Sequence, residues 1–398
     1  MHYETTQTVI LMTSTVIRVA IVTHAPFPIG NVSTMRYTSY MKALVKSGTF
    51  CYVLIYCPTR MAAQIHESSG LFDGISYQYA TDITWRKYNA LNKVVYLLKG
   101  LFNSLYYLNK RDISTIILYG DNPFMVNLFF WLFCKFTGRR FIGDRSELPS
   151  LDIRKSKLKL FIYGLKQRMF DGIIVMTKQL AKFYGQYSKK KDYLFFLPMT
   201  IDPTRFNGLK KVKPKCPYIA VVFGTHNRDG LLESLKSYDL YCKKGGEYEL
   251  YLIGDFNNMP NKSELDAHVK LSDYRNRIHI LGSQPNDKVP FLLYNASILL
   301  TTPNFYVSGG FPTKLGEYML SGVPIVATEA GELLDYICPN VDILMSLPGD
   351  IDDIADNLLK LEHDEALAFT LSAAAKQKAL KFFCADYYIN DMVKFLAK

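Results

Sequence analysis

Short runs rich in Val, Ile, Leu and Phe alternate along this chain with longer stretches whose apolar residues recur every three or four positions. The first pattern predicts buried strands, and the second predicts the helices that cover them. In the first half the expected strands are Val16–Thr23, Phe50–Tyr56, Ser114–Tyr119, Arg140–Gly143, Gly172–Met176 and Tyr193–Leu197. In the second half they are Tyr218–Phe223, Tyr248–Ile253, Ile278–Leu281, Ser297–Thr301 and Val323–Ala327. Ser33–Lys46 reads as a helix with Tyr37, Tyr40, Met41 and Leu44 on one face. Such alternation predicts an α/β protein whose parallel sheets are covered on both faces. Pro198–Lys215 is rich in Pro, Gly and Lys and has no periodicity, so it separates the two series. Two doubly wound domains with a cleft between the carboxyl ends of their strands are the expected architecture.

Length agrees, since 398 residues exceed one ordinary core. The seven cysteines are scattered and never spaced as CxxC, which argues against a disulfide framework or zinc site and for a reducing compartment. The apolar run near the start is broken by Arg18 and lacks a basic leader, so it reads as a strand rather than a signal peptide. Met12 is an alternative start. The net charge of +11 is uneven: residues 1–200 carry 26 Lys and Arg against 11 Asp and Glu, and residues 201–398 carry 21 against 25. A polyanionic partner is therefore expected for the first half only. Nucleic acid is disfavoured, because no helix-turn-helix, RNA-recognition or zinc-finger pattern is present. An anionic membrane surface fits better. Arg154–Phe170 holds six basic residues and no acid, with Leu158, Phe161, Ile162, Leu165 and Met169 on one helical face. The same pattern also suits an ordinary amphipathic helix packed on a sheet. Asn122–Phe136 is apolar nearly all round but too short to span a bilayer, and is expected to be a buried helix.

The most informative stretch is Ser308–Thr328, SGGFPTKLGEYMLSGVPIVAT. A glycine pair leads into a helix that starts at Pro312 and stops at Ser321-Gly322. Free N–H groups at such a helix start favour an anion. Gly310, Phe311, Pro312 and Thr313 form this cradle, and Lys314 adds a cation. Glu317, one turn later, is placed to accept hydrogen bonds from a diol. Phosphate beside ribose is what a nucleotide-sugar presents, although Lys314 and Glu317 also suit a simple surface ion pair. The turn from Phe223 to Gly230, FGTHNRDG, ends another strand, with Gly224 as its hinge and Arg228 able to hold a phosphate by two parallel bonds. In the first half, the loop from Thr23 to Asn31 precedes the helix that carries Arg36. Gly30 lets it approach a sugar or phosphate, with His24 and Asn31 beside it. Asp144 and Glu147 follow a further strand as candidate carboxylates, or as a capping or ion-pair cluster with Arg145.

These segments resemble glycosyltransferase family 4, and in particular a subgroup whose donor-binding segment reads FPTKLxEY. The family's usual pattern is Glu, seven residues, then a second Glu on the helix. Glu317 matches the second, whereas Gly309 stands where the first would be. PMTIDPTRF is similar to the family's interdomain segment and GDIDDIADNL to its late helix, which makes Asp350 and Asp352 helix-start residues rather than metal ligands. The turn at Arg228 resembles the family's glycine-then-KDG turn, and GNVSTMRYTSYMKAL resembles its loop-helix, including Arg36. Where many relatives carry a His contacting the reacting sugar, this chain has Asp144 and Glu147.

The resemblance implies a GT-B fold of two Rossmann-like domains. Residues 1–15 would be an extension, 16–197 the acceptor domain, 198–380 the nucleotide-sugar domain and 381–398 a helix crossing back to the first. It implies a retaining, metal-independent hexosyltransferase with no bound cofactor. The UDP- or GDP-linked sugar is the co-substrate and the acceptor a hydroxyl on a lipid-linked or cell-surface glycan. Arg228, Lys314 and Glu317 would serve donor and chemistry together. Asp144 and Glu147 would act catalytically from the acceptor side, beside His24, Asn31 and Arg36. Double displacement through a carboxylate and same-face attack are both open, the second being what the resemblance implies. A nucleotide-sugar epimerase and a non-catalytic nucleotide-sugar-binding protein remain as alternatives. A cytoplasmic location, peripheral on the inner face of the cell membrane, completes the expectation.

Overall fold

The structure, a computed structural model, describes residues 17–30, 32–59, 67–85, 90–304, 311 and 313–398. The extension at 1–15, Asn31, Gly309, Gly310 and Pro312 lie outside the described residues.

Two sheets form the frame. The first contains β1 (Arg18–Thr23), β2 (Phe50–Ile55), β3 (Ser69–Phe72), β4 (Ile75–Tyr79), β5 (Thr115–Tyr119), β6 (Arg140–Arg145), β7 (Gly172–Val175) and β8 (Leu194–Phe196). Their order across the sheet is β3-β4-β2-β1-β5-β6-β7-β8. All neighbours are parallel except β3 with β4. The helices are α1 (Val32–Lys46), α2 (Ala90–Lys110), α3 (Phe124–Thr137), α4 (Leu151–Lys155), α5 (Lys157–Arg168) and α6 (Lys178–Gly185). The second sheet contains β9 (Tyr218–Val222), β10 (Glu249–Ile253), β11 (Ile278–Gly282), β12 (Ile298–Thr301), β13 (Ile325–Thr328) and β14 (Leu344–Ser346). It is parallel throughout, in the order β11-β10-β9-β12-β13-β14. Around it run α7 (Leu231–Lys243), α8 (Lys262–Leu271), α9 (Val289–Asn295), α10 (Thr313–Ser321), α11 (Ile351–His363) and α12 (Glu365–Phe382), and the last helix, α13 (Ile389–Ala397), returns to the first sheet.

Central strands are buried on both sides, which explains their continuous rather than alternating apolar runs. One face of the first sheet packs under α2, α3 and α5 through Leu101, Leu108, Phe130, Cys134 and Tyr163. The other packs under α1 and α13, where Met392, Phe395 and Leu396 join Val19, Ile21 and Ile117. Thr115 donates to the Leu396 carbonyl at 2.9 Å, so the last helix of the chain lies on the first sheet. Ile201 is paired with Phe383, its N–H donating to the Phe383 carbonyl at 2.8 Å, and this ties the two connecting segments together.

Two expectations are corrected. The amphipathic stretch Arg154–Phe170 is broken at Ser156, which ends α4 and caps α5 by accepting from the Lys159 N–H. The helix expected to be buried at 122–136 is α3, which leaves Met125 and Phe136 on the surface. Asp350 caps α11 by accepting from the Asp353 N–H at 3.1 Å, a local role for that carboxylate.

Candidate functional site

Strand β9 ends at Val222, and the turn after it decides the chemistry nearby. Gly230 closes that turn at φ +66° and starts α7, and a Cβ there would lie 1.7 Å from the Thr302 carbonyl oxygen. Only glycine fits. We expect Gly230→Ala to destabilise the protein by more than about 1 kcal/mol in urea unfolding. An unchanged midpoint would contradict this packing.

Within the turn, Asp229 is nearly buried and receives the Gly224 N–H at 2.5 Å and the Lys314 ammonium at 2.7 Å. Burial pulls the Lys314 pKa below its ordinary value; Asp229 opposes this, while Arg228 adds to it. Lys314 sits in the first turn of α10, and Glu317 follows on the same face. The Glu317 carboxylate is paired with Arg205, which projects from the short 3-10 turn Pro203–Phe206. Phe311 is buried against Tyr336 and Phe383 and anchors the chain entering α10. Thr313 is the first residue of α10.

Across the gap, Glu147 follows β6 and stands 3.9 Å from Arg228, so the loops of the two sheets meet at these residues. Glu147 also lines an open cleft of about 1120 Å³ at the carboxyl ends of the first sheet's strands. His24, Tyr56, Tyr119, Arg145 and Lys93 line it too. His24 is exposed, and its Nδ1 lies 3.4 Å from the Tyr56 hydroxyl, which donates to Asn122. Gly30 is confined by the Thr34 hydroxyl, 2.1 Å from where a Cβ would stand. Its carbonyl accepts from Asn286 of the second half at 3.3 Å.

Arg36 and Asp144 are corrected. They form a buried ion pair at 2.7 Å, with side-chain exposures of 2% and 0%. The Tyr40 hydroxyl donates to the same carboxylate oxygen at 2.9 Å, and Arg36 also donates to the Leu197 carbonyl. Burial opposes the charge on Arg36, yet Asp144 holds its pKa above the ordinary value. Burial and Asp144 together push the Tyr40 hydroxyl well up. These groups brace the sheet beneath the cleft, and neither is among the residues that line it.

Sequence reasoning missed Arg205, Asp229 and the Lys166–Asp121 pair. Lys166 is almost buried, bonded to Asp121 and to the Asn122 carbonyl, and holds the start of the α3 loop. Arg145 is fully buried and donates to the Leu118, Gly120 and Asp144 carbonyls, fixing the end of β5. The acid beside the cation in Arg228-Asp229-Gly230 was the only local signal for any of these.

Comparison with known proteins bears on this arrangement. Residues 204–378 match the family model "Glycosyl transferases group 1". The whole chain has the GT-B glycosyltransferase fold: it superimposes on sucrose-phosphate synthase from Thermosynechococcus elongatus with a TM-score of 0.71. That match covers 95% of this chain and 98% of the other at 14% identity. HepE from Anabaena, solved with UDP, gives 0.69 over 96% and 100% at 13% identity. Among curated proteins, the amylovoran biosynthesis glycosyltransferase AmsK of Erwinia amylovora is 26% identical over 184 residues, 45% of this chain and 44% of that protein. The 2-deoxystreptamine glucosyltransferase of Streptomyces kanamyceticus is 23% identical over 211 residues, 50% and 53% of the two chains. The chain thus spans about half the length of the curated relatives it matches.

Proposed function

We propose that this protein is a retaining glycosyltransferase that moves a hexose from a nucleotide-sugar to a hydroxyl acceptor without a metal. The observation that carries the reading is the convergence of Arg228, Lys314 and Glu317 at the carboxyl end of the second sheet, facing Glu147 and the cleft of the first. Arg228 and Lys314 would bind the diphosphate and neutralise the charge that develops as it leaves. The N–H groups of Phe311 and Thr313 would take the other phosphate oxygens. Glu317 would exchange Arg205 for the ribose hydroxyls. The acceptor would enter the cleft beside His24, Gly30 and Glu147, with Glu147 the carboxylate nearest the reacting sugar.

A UDP-linked donor is favoured by two fold relatives. HepE was solved with UDP-glucose, and TarM with UDP and α-GlcNAc-glycerol. A lipid-linked or cell-surface glycan is the acceptor we propose, and a cytoplasmic enzyme peripheral on the membrane the setting. The test is thermal unfolding with a panel of nucleotide-sugars, followed by product analysis with and without acceptor. A donor at 100 times its Kd should add about 2.7 kcal/mol of stability. Stabilisation by none of the panel would overturn the reading, and an isomerised sugar formed without acceptor would make the protein an epimerase.

A further inference from the structure

Helices α2, α3 and α5 lie side by side over one face of the first sheet, and their outward surface is unusual for a water-exposed layer. Val94, Val95, Leu98, Phe102 and Tyr106 recur along α2 at steps of one, three and four, and each is more than half exposed. On α5, Leu158, Phe161 and Ile162 form a second exposed stripe. Phe136, 86% exposed, stands in the last turn of α3. The Phe102 and Phe129 rings meet at 5.7 Å, so the α2 and α3 surfaces are continuous. Apolar area of this extent on one face marks a binding surface rather than scattered exposure.

Charge identifies the partner. None of the three helices contains Asp or Glu, and together they carry eight Lys or Arg. Lys99, Lys135 and Lys166 are paired at the margins with Asp82, Asp171 and Asp121. Among the described residues, Lys93, Lys110, Lys157, Lys159 and Arg168 have no carboxylate within 4.0 Å. No helix among the described residues is long and apolar enough to cross a membrane. An apolar face on helices whose own charged residues are all cationic, and which cannot span, is the composition of a surface that lies in a lipid interface.

We propose that the outer face of α2, α3 and α5 docks on an anionic phospholipid leaflet. Lys93 and Leu97 of α2, and Leu151 and Arg154 of α4, line the cleft as well, so its mouth opens at the margin of this layer. Docking therefore sets the cleft at the headgroup plane. The acceptor is then an amphiphile whose hydroxyl-bearing head enters the cleft while its tail stays in the bilayer. This last step rests on the transferase reading; the docking surface does not.

The test is co-sedimentation of the full chain with vesicles of phosphatidylcholine alone or mixed with phosphatidylglycerol. Wild type should bind the mixed vesicles and lose them in high salt. Leu98→Glu/Phe161→Glu should abolish binding. Lys157→Gln/Lys159→Gln should weaken it about 25-fold, at about fivefold per basic residue near an anionic leaflet. Phe369→Glu, at a still more exposed position on α12, should bind as wild type. Unfolding midpoints and donor-induced stabilisation should be the same in all variants, which separates failure of docking from failure of the donor site. The proposal is overturned if wild type ignores the anionic vesicles, if Leu98→Glu/Phe161→Glu still binds them, or if that variant instead dissolves a dimer seen by sedimentation velocity.

Discussion

Glu317→Ala removes donor-dependent stabilisation while the unliganded protein keeps its fold. Glu317 and its partner Arg205 are largely buried, but Arg205 also donates to the Asn286 carbonyl and lies near Asp202 and Asp287, so its guanidinium keeps partners after truncation. A carboxylate accepting from two ribose hydroxyls contributes about 1.5–3 kcal/mol per hydrogen bond, and its loss should weaken donor binding by about 10²-fold or more. A ligand at 100 times its Kd for wild type is then at about its Kd for the variant, and the stabilisation shrinks from about 2.7 to about 0.4 kcal/mol. Because ribose is held alike in ground and transition states, KM should rise more than kcat falls. Undiminished stabilisation by the donor would remove Glu317 from the site.

Asp144→Ala acts in the opposite manner. A catalytic carboxylate would cost rate and leave stability alone. Asp144 instead neutralises Arg36 in the core and accepts from Tyr40, so its removal leaves a guanidinium buried without its counter-charge. Breaking such a pair on one side typically costs about 3–5 kcal/mol, a large part of the stability of an ordinary domain. Urea unfolding should show it directly. The double replacement Arg36→Met/Asp144→Leu should recover most of the loss, since well-packed apolar groups substitute for a buried pair at little cost. A stable Asp144→Ala protein with impaired transfer would return this residue to the acceptor side.

The strand pattern was legible because central strands of a parallel sheet are buried on both faces and read as unbroken apolar runs. Strand β3 was not, because all four of its residues, Ser69–Phe72, are exposed at the sheet edge and carry no burial pattern. Strands β4 and β14 were passed over as well; β14 spans only three residues, Leu344–Ser346. The glycine turn at 224–230 and the Lys314–Glu317 helix could be read because their chemistry lies within one short segment. Asp229 next to Arg228 shows how far this goes: the residue was visible, its grip on Lys314 was not.

The sequence alone therefore determined the alternation of strand and helix, the two halves and the phosphate-friendly turns, all set by periodicity and backbone geometry over a few residues. Tertiary structure decided which polar groups are working surface and which are struts. Arg36 and Asp144 stand 108 positions apart, and nothing local to either says that they neutralise each other. Glu317 meets Arg205 only because the connecting segment returns against α10. The apolar face at 154–170 suited a membrane surface or an ordinary packed helix alike, and only the packing of the layer shows Leu158, Phe161 and Ile162 facing outward. Burial and charge pairing belong to the whole chain's path, and no window of sequence contains that path.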